Sequence, residues 1–390
     1  MAKTLELGNG KWATGKDTVL AYNDENNNFK PLLFDFTRAS NATVVNKAGL
    51  IETVGSGEPR IDFSNDAKGA LLLEPSRTNN LLQSNQFDTT WIDSITTKTS
   101  GYLGLDGTNS AWLLTKTASS NANIRQNITF SGTHTFSVYL KKGTFTSVTL
   151  RSTGGLDARV EINLIDGTTS GEVNATSVKT ELVGNDWWRC SLTFEAAVNT
   201  AVRIYPDLIA GTTAGDIYIW GAQLEQGSYA TSYIPTSGSA VTRVADNSSL
   251  TPPDGIISLT EGTFYVEYPN IDNTFAYIAL SQSGNYVDRM LIYSSGNNRL
   301  SANFKQSGTL KLSGLTSAIQ GVVKAALSYS PTGSVFYVNG TQIATGTSSS
   351  FGILNEVELN SSSQVGCKLT QIKNYNTRLS NAELIALTTI

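Results

Sequence analysis

The chain has one histidine, His134, and two cysteines, Cys190 and Cys367. A structural or catalytic zinc needs three or four His, Cys or acidic ligands. Neither cysteine stands at a ligand spacing from His134 or from the other, so no metal ligand is assigned. The cysteines are expected to be buried free thiols. His134 opens the β-like run HTFSVYLKKG (134–143), which points to a satisfied structural ring. A Ser–His–Asp triad built on it stays open in the sequence, although nothing marks a nucleophile elbow. Paired carboxylates are the other hydrolytic route. The candidates Glu161, Asp166, Asp207 and Asp216 are scattered among turns, Asp166 before Gly167 and Asp216 at the start of a strand. No catalytic residue, and no enzymatic activity, is expected.

Binding chemistry is better represented. In a strand, successive side chains point to opposite faces. Val138, Leu140, Val148, Leu150, Val160, Ile162, Leu164, Val202 and Ile204 form one apolar set, expected to face a core. The opposite set contains Tyr139, Lys141, Arg151, Arg159, Arg203 and Tyr205. Aromatic rings offer flat faces to sugar C–H groups, and guanidinium forks suit hydroxyls and carboxylates. These six residues are the candidate glycan-binding set; an ordinary solvated face is the competing reading. Adjacent Trp187 and Trp188 must point to opposite faces, one into the core and one toward an edge or surface.

The elements that position these residues read as short strands. SVTLR (147–151), ARVEINL (158–164), RCSLTF (189–194), AVRIYP (201–206) and DIYIW (216–220) alternate, and turn markers such as Asp166-Gly167 and Gly184-Asn185 separate them. A second β unit follows the linker-like Thr251-Pro252-Pro253-Asp254-Gly255. In it, Asn339-Gly340 predicts a type I′ hairpin. Ser380 with Glu383 forms a capping box for one short terminal helix. The predicted fold is all-β, with two antiparallel sandwiches after a β-rich N-terminal segment. The divisions are 1–80, 81–250 and 251–390. The first segment has too little apolar material for its own core. It is expected to lean on the first sandwich, on another copy or on a larger assembly, with Trp12 and Tyr22 as anchors for attachment.

Composition fits this reading. The chain of 390 residues is 39% hydrophobic and 15% charged, with 34 glycines. Its net charge is −4 and it has no Lys/Arg cluster, which excludes the basic footprint of a nucleic-acid partner or a polybasic membrane anchor. No apolar run approaches a membrane span, and the first twenty residues contain no apolar stretch of the secretory type.

Several motifs occur in a fixed order: FTRASNATVVNKAGLIE (36–52), EPRIDF, ALLLEPSRTNNLL, Trp91, FSVYLKKG, NDWWRCSLTF and IYIWGAQLEQGSYATSYIPT with AVTRVAD. This series, over residues 34 to 246, resembles the leader and carbohydrate-binding-module-like jelly roll of a group of tailed-phage virion proteins. The C-terminal part, with VFYVNG and NYNTRLSNAELIALT, resembles laminin-G and concanavalin-like sandwiches. The resemblance implies a structural virion protein, a head, collar or tail fibre or spike. It would be assembled in the host cytoplasm, docked to other virion proteins through its N-terminus, and in contact with host-surface polysaccharide. It also implies a homo-oligomer, with a trimer as the expected form. A glycan-cleaving depolymerase of the same particle and a non-phage bacterial surface lectin are the alternatives. Related jelly rolls often hold a structural Ca²⁺. Here Asp88 could supply one ligand, but Trp220-Gly221 stands where a second acid is usual, so no cofactor is expected.

The tail of the jelly roll, GSYATSYIPTSGSAVTRVAD (227–246), follows the last strand without any catalytic pattern. It is expected to strap two sandwiches together, with Tyr229 and Tyr233 packed on the surface and their hydroxyls wet.

Overall fold

The structure is a computed structural model that describes residues 3–23, 30–64, 66–270, 277–282, 285–295, 298–347, 353–359 and 366–390. Among them the fold is all-β, with antiparallel pairing throughout and one helix, Asn381–Thr388. That helix carries the capping box formed by Ser380 and Glu383. Asn339 and Gly340 both have positive φ, 47° and 76°, in the hairpin between Gly333–Val338 and Thr341–Gly346.

The jelly roll is organised by two long strands, Asn123–Lys142 and Trp187–Tyr205. They pair from Lys141 opposite Trp187 to Ile124 opposite Ile204, with irregular register between Asn127 and Gly132. On one side of this bend the long strands are flanked by Ile92–Ser94 and Ser147–Gly154. On the other they are flanked by Gly215–Gln226 and Ala175–Gly184. The bend turns one ladder into two layers. Ile124, Phe136, Val138, Leu140, Leu150, Val160, Leu192, Val202, Ile204 and Ile219 from both layers meet in one core. The predicted apolar set lies in that core. RCSLTF and AVRIYP, expected as separate strands, are one strand, because bulges let the ladder continue through the polar residues between them.

The second sandwich draws on both ends of the chain. Leu5–Gly8 pairs with Gln371–Tyr375 and with Thr18–Asn23, Thr18–Asn23 pairs with Lys30–Thr37, and Lys30–Thr37 pairs with Asn247–Leu250. These N-terminal strands are interior to the sheet. Leu5, Leu7, Val19, Phe34 and Phe36 are buried in the same core as Phe264, Leu280, Phe304 and Ile372. The burial alternation of KPLLFDFT, with Leu32, Phe34 and Phe36 inside and Leu33 57% exposed, is that of a strand with one face on a core.

This corrects the expectation for residues 1–80. They lack a core of their own, but they take it from the C-terminal sandwich, not mainly from the jelly roll. Trp12 is not an open anchor. It packs against the second core, and its Nε1 donates to the carbonyls of Lys68 and Gly69 at 3.0 Å each. Tyr22 lies opposite Glu6 in the ladder; its side chain is outside the described residues. The rest of the leader links the modules. Ala70–Leu73 pairs with Cys367–Leu369, and Arg77–Asn79 pairs with Val241–Arg243 of the strap.

Candidate functional site

The two layers of the jelly roll have different outer faces. On the layer that includes the C-terminal half of Asn123–Lys142, Tyr139, Trp187 and Trp220 form a second buried cluster with Ile51, Leu105 and Tyr233. The rings of Trp220 and Tyr233 are 4.7 Å apart, and those of Tyr139 and Trp220 are 5.3 Å apart. Tyr233 comes from the strap, and its hydroxyl is 2.6 Å from Ser84 Oγ. The strap backbone is held by Asn79, whose Nδ2 donates to the Ile234 carbonyl, and by Gln223, whose Oε1 accepts from the Ile234 amide. Strap and leader therefore cover this face.

Tyr139 is only 4% exposed, and burial pushes its phenol up to about 12. It cannot stack on a glycan, which corrects its assignment. The expectation that the tyrosines of the strap keep wet hydroxyls is corrected as well: Tyr233 is buried, and the Tyr229 hydroxyl is buried without a partner among the described residues. Trp187 belongs to the covered cluster, and Trp188 packs on the jelly-roll core with Nε1 donating to the Leu164 carbonyl. Lys141 is on this layer too, where its Nζ donates to the Asn185 carbonyl at 2.8 Å.

The other layer is open. Across four neighbouring strands, Arg125 stands opposite Arg203, Arg203 opposite Arg151, and Arg151 opposite Arg159. Cross-strand partners have Cβ atoms about 4.5–5.5 Å apart, and like charges so placed repel. All four side chains are partly exposed. Asp157 is the only carboxylate paired with this row among the described residues. It takes Arg151 Nε at 2.6 Å and Nη2 at 3.1 Å, and lies 3.8 Å from Arg159 Nη1. The hydrogen bonds to Asp157 raise the Arg151 pKa, with burial opposing. Arg203 is steadied by neutral acceptors, Thr153 Oγ1 and Asn123 Oδ1, each at 3.2 Å. Arg125 makes no ion pair or side-chain hydrogen bond with the described residues.

Tyr205 lies beside the row. Its hydroxyl is 3.4 Å from Arg151 Nη1, but the residue is 3% exposed. It supports Arg151 and does not present a ring face, which corrects its role as a stacking platform. The structure thus brings together Arg151, Arg159, Arg203 and Tyr205, and separates Tyr139 and Lys141 from them. Arg125 was missed in the sequence. Its signal was available, since it sits one residue from Ile124 on an alternating strand, but the pairing that aligns it with Arg203 is not local.

Four of the five residues considered for catalysis, His134, Asp166, Asp207 and Asp216, have structural partners. His134 is 5% exposed, its Nδ1 is 3.2 Å from the Gly132 carbonyl, and burial lowers its pKa. Asp207 pairs with buried Lys116 at 3.0 Å. Asp216 Oδ1 accepts from the Thr144 amide, and Asp166 Oδ1 from the Thr168 amide, each at 3.0 Å. Asp88 is exposed. Trp220-Gly221 serves packing: Trp220 Nε1 donates to Ser110 Oγ, and Gly221, at φ 59°, donates its amide to Asn85 Oδ1.

No family model matches the chain, and no curated protein matches it. Solved structures are similar to it at low overlap. The CBM40 domain of a Ruminococcus gnavus IT-sialidase is 18% identical, with TM-score 0.30, over 34% of this chain and 84% of that domain. Domains LG4-5 of the mouse laminin α1 chain are 8% identical, with TM-score 0.26, over 76% of this chain and 93% of theirs. A Trypanosoma rangeli sialidase is 8% identical, with TM-score 0.27, over 95% of this chain and 81% of its own.

Proposed function

We propose that the chain is a structural, glycan-binding component of a tailed-phage particle, and that its jelly roll grips acidic host-surface polysaccharide along the row Arg125, Arg203, Arg151 and Arg159. The observation that carries the binding reading is this row: four guanidinium groups on adjacent strands with one carboxylate between them. Like charges placed opposite each other across a sheet repel. A polyanion laid across the strands offsets that cost. The forks of Arg125 and Arg203 have no carboxylate partner among the described residues and are suited to sugar carboxylates and hydroxyls.

The virion reading is supported by the leader motifs. Arg38 of FTRAS, Arg60 of EPRIDF, Glu74 of LLLEPSR, and Arg243 and Asp246 of VTRVAD converge on one buried ion network. The motifs behind the resemblance thus work as one unit that joins leader, jelly roll and strap.

An array of neutral and acidic glycans tests the binding. Wild-type protein is expected to prefer acidic glycans, with affinity that falls as salt rises, and Arg125→Gln/Arg203→Gln is expected to lose most of that binding while remaining folded. Equal binding by the double variant removes the row as the site. Mass spectrometry of purified particles tests the virion assignment, which fails if the protein is absent from them.

A further inference from the structure

A cavity of about 140 Å³ lies where three parts of the chain meet: the leader, the jelly roll with its strap, and the segment around Cys367 of the second sandwich. This is roughly ten times the space one water needs. Its wall includes Tyr139 and Arg189 from the covered face of the jelly roll, Tyr229 from the strap, Asp62 from the leader, Glu181, and Lys368. It is separate from the arginine row, which lies on the other layer.

Among the described residues the charges of the wall are in ion-pair contact, with one exception. Lys368 Nζ is 2.9 Å from Asp62 Oδ1, and Lys179 Nζ is 2.9 Å from Glu181 Oε1. Glu74, also in the wall, is held by Arg60 at 2.8 Å and Arg243 at 2.9 Å. Arg189 has no carboxylate within ion-pair distance among the described residues. One of its nitrogens, Nη2, donates to the Thr231 carbonyl, and its guanidinium lies over the Tyr139 ring at 5.3 Å. Among the described residues its Nε is buried without a hydrogen-bond partner, and so is the Tyr229 hydroxyl. A buried donor left unsatisfied costs about 1–3 kcal/mol, more when it is charged. Two such donors on the wall of one cavity, one of them on a cation without an ion-pair contact among the described residues, are groups that an anionic ligand would satisfy.

We propose that this junction cavity binds a small organic carboxylate, with Arg189 as its counter-ion and Tyr229 as a second donor. The side of a guanidinium that carries Nε and Nη2 matches the two oxygens of a carboxylate. Among the described residues Arg189 is the one charged group of the wall without an ion-pair contact, and three carboxylates of the wall are already satisfied. A singly charged ligand balances the site, whereas a doubly charged phosphate or sulfate adds repulsion from Asp62, Glu74 and Glu181. Because the wall is built from all three parts of the chain, occupancy ties their relative positions together.

Isothermal calorimetry on the full chain, with sodium glucuronate, acetate, phosphate and sulfate as probes, tests the assignment. At least one of the two carboxylates is expected to bind with a stoichiometry of one, more tightly than phosphate or sulfate. Tyr229→Phe removes only a hydroxyl without a partner among the described residues, so it should fold with an unchanged or higher melting temperature while weakening carboxylate binding about tenfold. Arg189→Lys should weaken it further, and Arg203→Gln on the open face should leave it unchanged. That last arm separates this cavity from the proposed glycan row. The proposal is overturned if neither carboxylate binds saturably, if folded Tyr229→Phe binds as wild type does, or if phosphate or sulfate binds as tightly as the carboxylates.

Discussion

Arg38 and Asp246 stand 208 residues apart in the chain, yet their side chains meet at 3.0 Å with neither exposed to solvent. The other oxygen of Asp246 takes Arg60 and the Glu74 amide. One carboxylate therefore holds the start of the leader, its middle and the end of the strap. Removing one partner from a buried charged network leaves unpaired ions in a dry site. Asp246→Ala, which strands two guanidinium groups, is expected to cost about 3–5 kcal/mol. Urea denaturation followed by fluorescence measures it; a loss below about 1 kcal/mol contradicts a structural role for the network.

The same network sets an acid limit. Burial opposes ionisation of Glu74, but Arg243 and Arg60, with the hydroxyl and amide of Ser232, outweigh it and hold the carboxyl well below its usual value of 4.5. Protonation is therefore harder in the folded chain than in the unfolded one. The stabilisation is complete above pH 4.5 and is lost progressively as pH falls below it. Melting temperature is expected to drop steeply below that pH. Glu74→Gln should melt lower at neutral pH and show a shallower decline in acid. An identical acid slope in the variant would assign the limit to other groups.

Arg125 faces Arg203 across the ladder without a counter-ion among the described residues. Replacing it with Gln removes a like-charge neighbour, so stability is expected to stay level or rise, by up to about 1 kcal/mol. Binding to acidic polysaccharide should weaken, and its salt dependence should become shallower. Thermal melts and binding at two ionic strengths distinguish this from a packing role, which would lower the melting temperature.

Deleting residues 1–23 removes two strands that lie between Gln371–Tyr375 and Lys30–Thr37. It also removes Leu5, Leu7, Val19 and Ala21 from the second core. The shortened chain is expected to lose cooperative folding of the C-terminal sandwich, because the remaining strands keep unpaired edges and an opened core. Limited proteolysis with mass spectrometry should find cleavage in 251–390 while the jelly roll resists. Protection equal to wild type would mean that the second sandwich folds without its N-terminal strands.

Much of the fold was legible locally. Period-two alternation placed Val138, Leu140, Val160, Ile162, Val202 and Ile204 in the core, and Asn339-Gly340 and Ser380 with Glu383 marked a hairpin and a helix start, because each of these signals acts within a few residues. Alternation also assigned Arg151, Arg159 and Arg203 to the face opposite the core. It could not say that they share one cross-strand row with Arg125, because pairing depends on which strands become neighbours. Nor could it say that Tyr139 and Tyr205 are buried on that same set of positions. A strand pattern gives two faces; whether the outer one meets water depends on what the rest of the chain lays over it. Here a strap about ninety residues further along the chain covers Tyr139, and Arg151 lies against Tyr205. The N-terminal strands carried the alternation of a sheet with one buried face, but nothing in their residues named the partner. Only closure of the chain, with Leu5–Gly8 against Gln371–Tyr375, decided that the first strands complete the last domain.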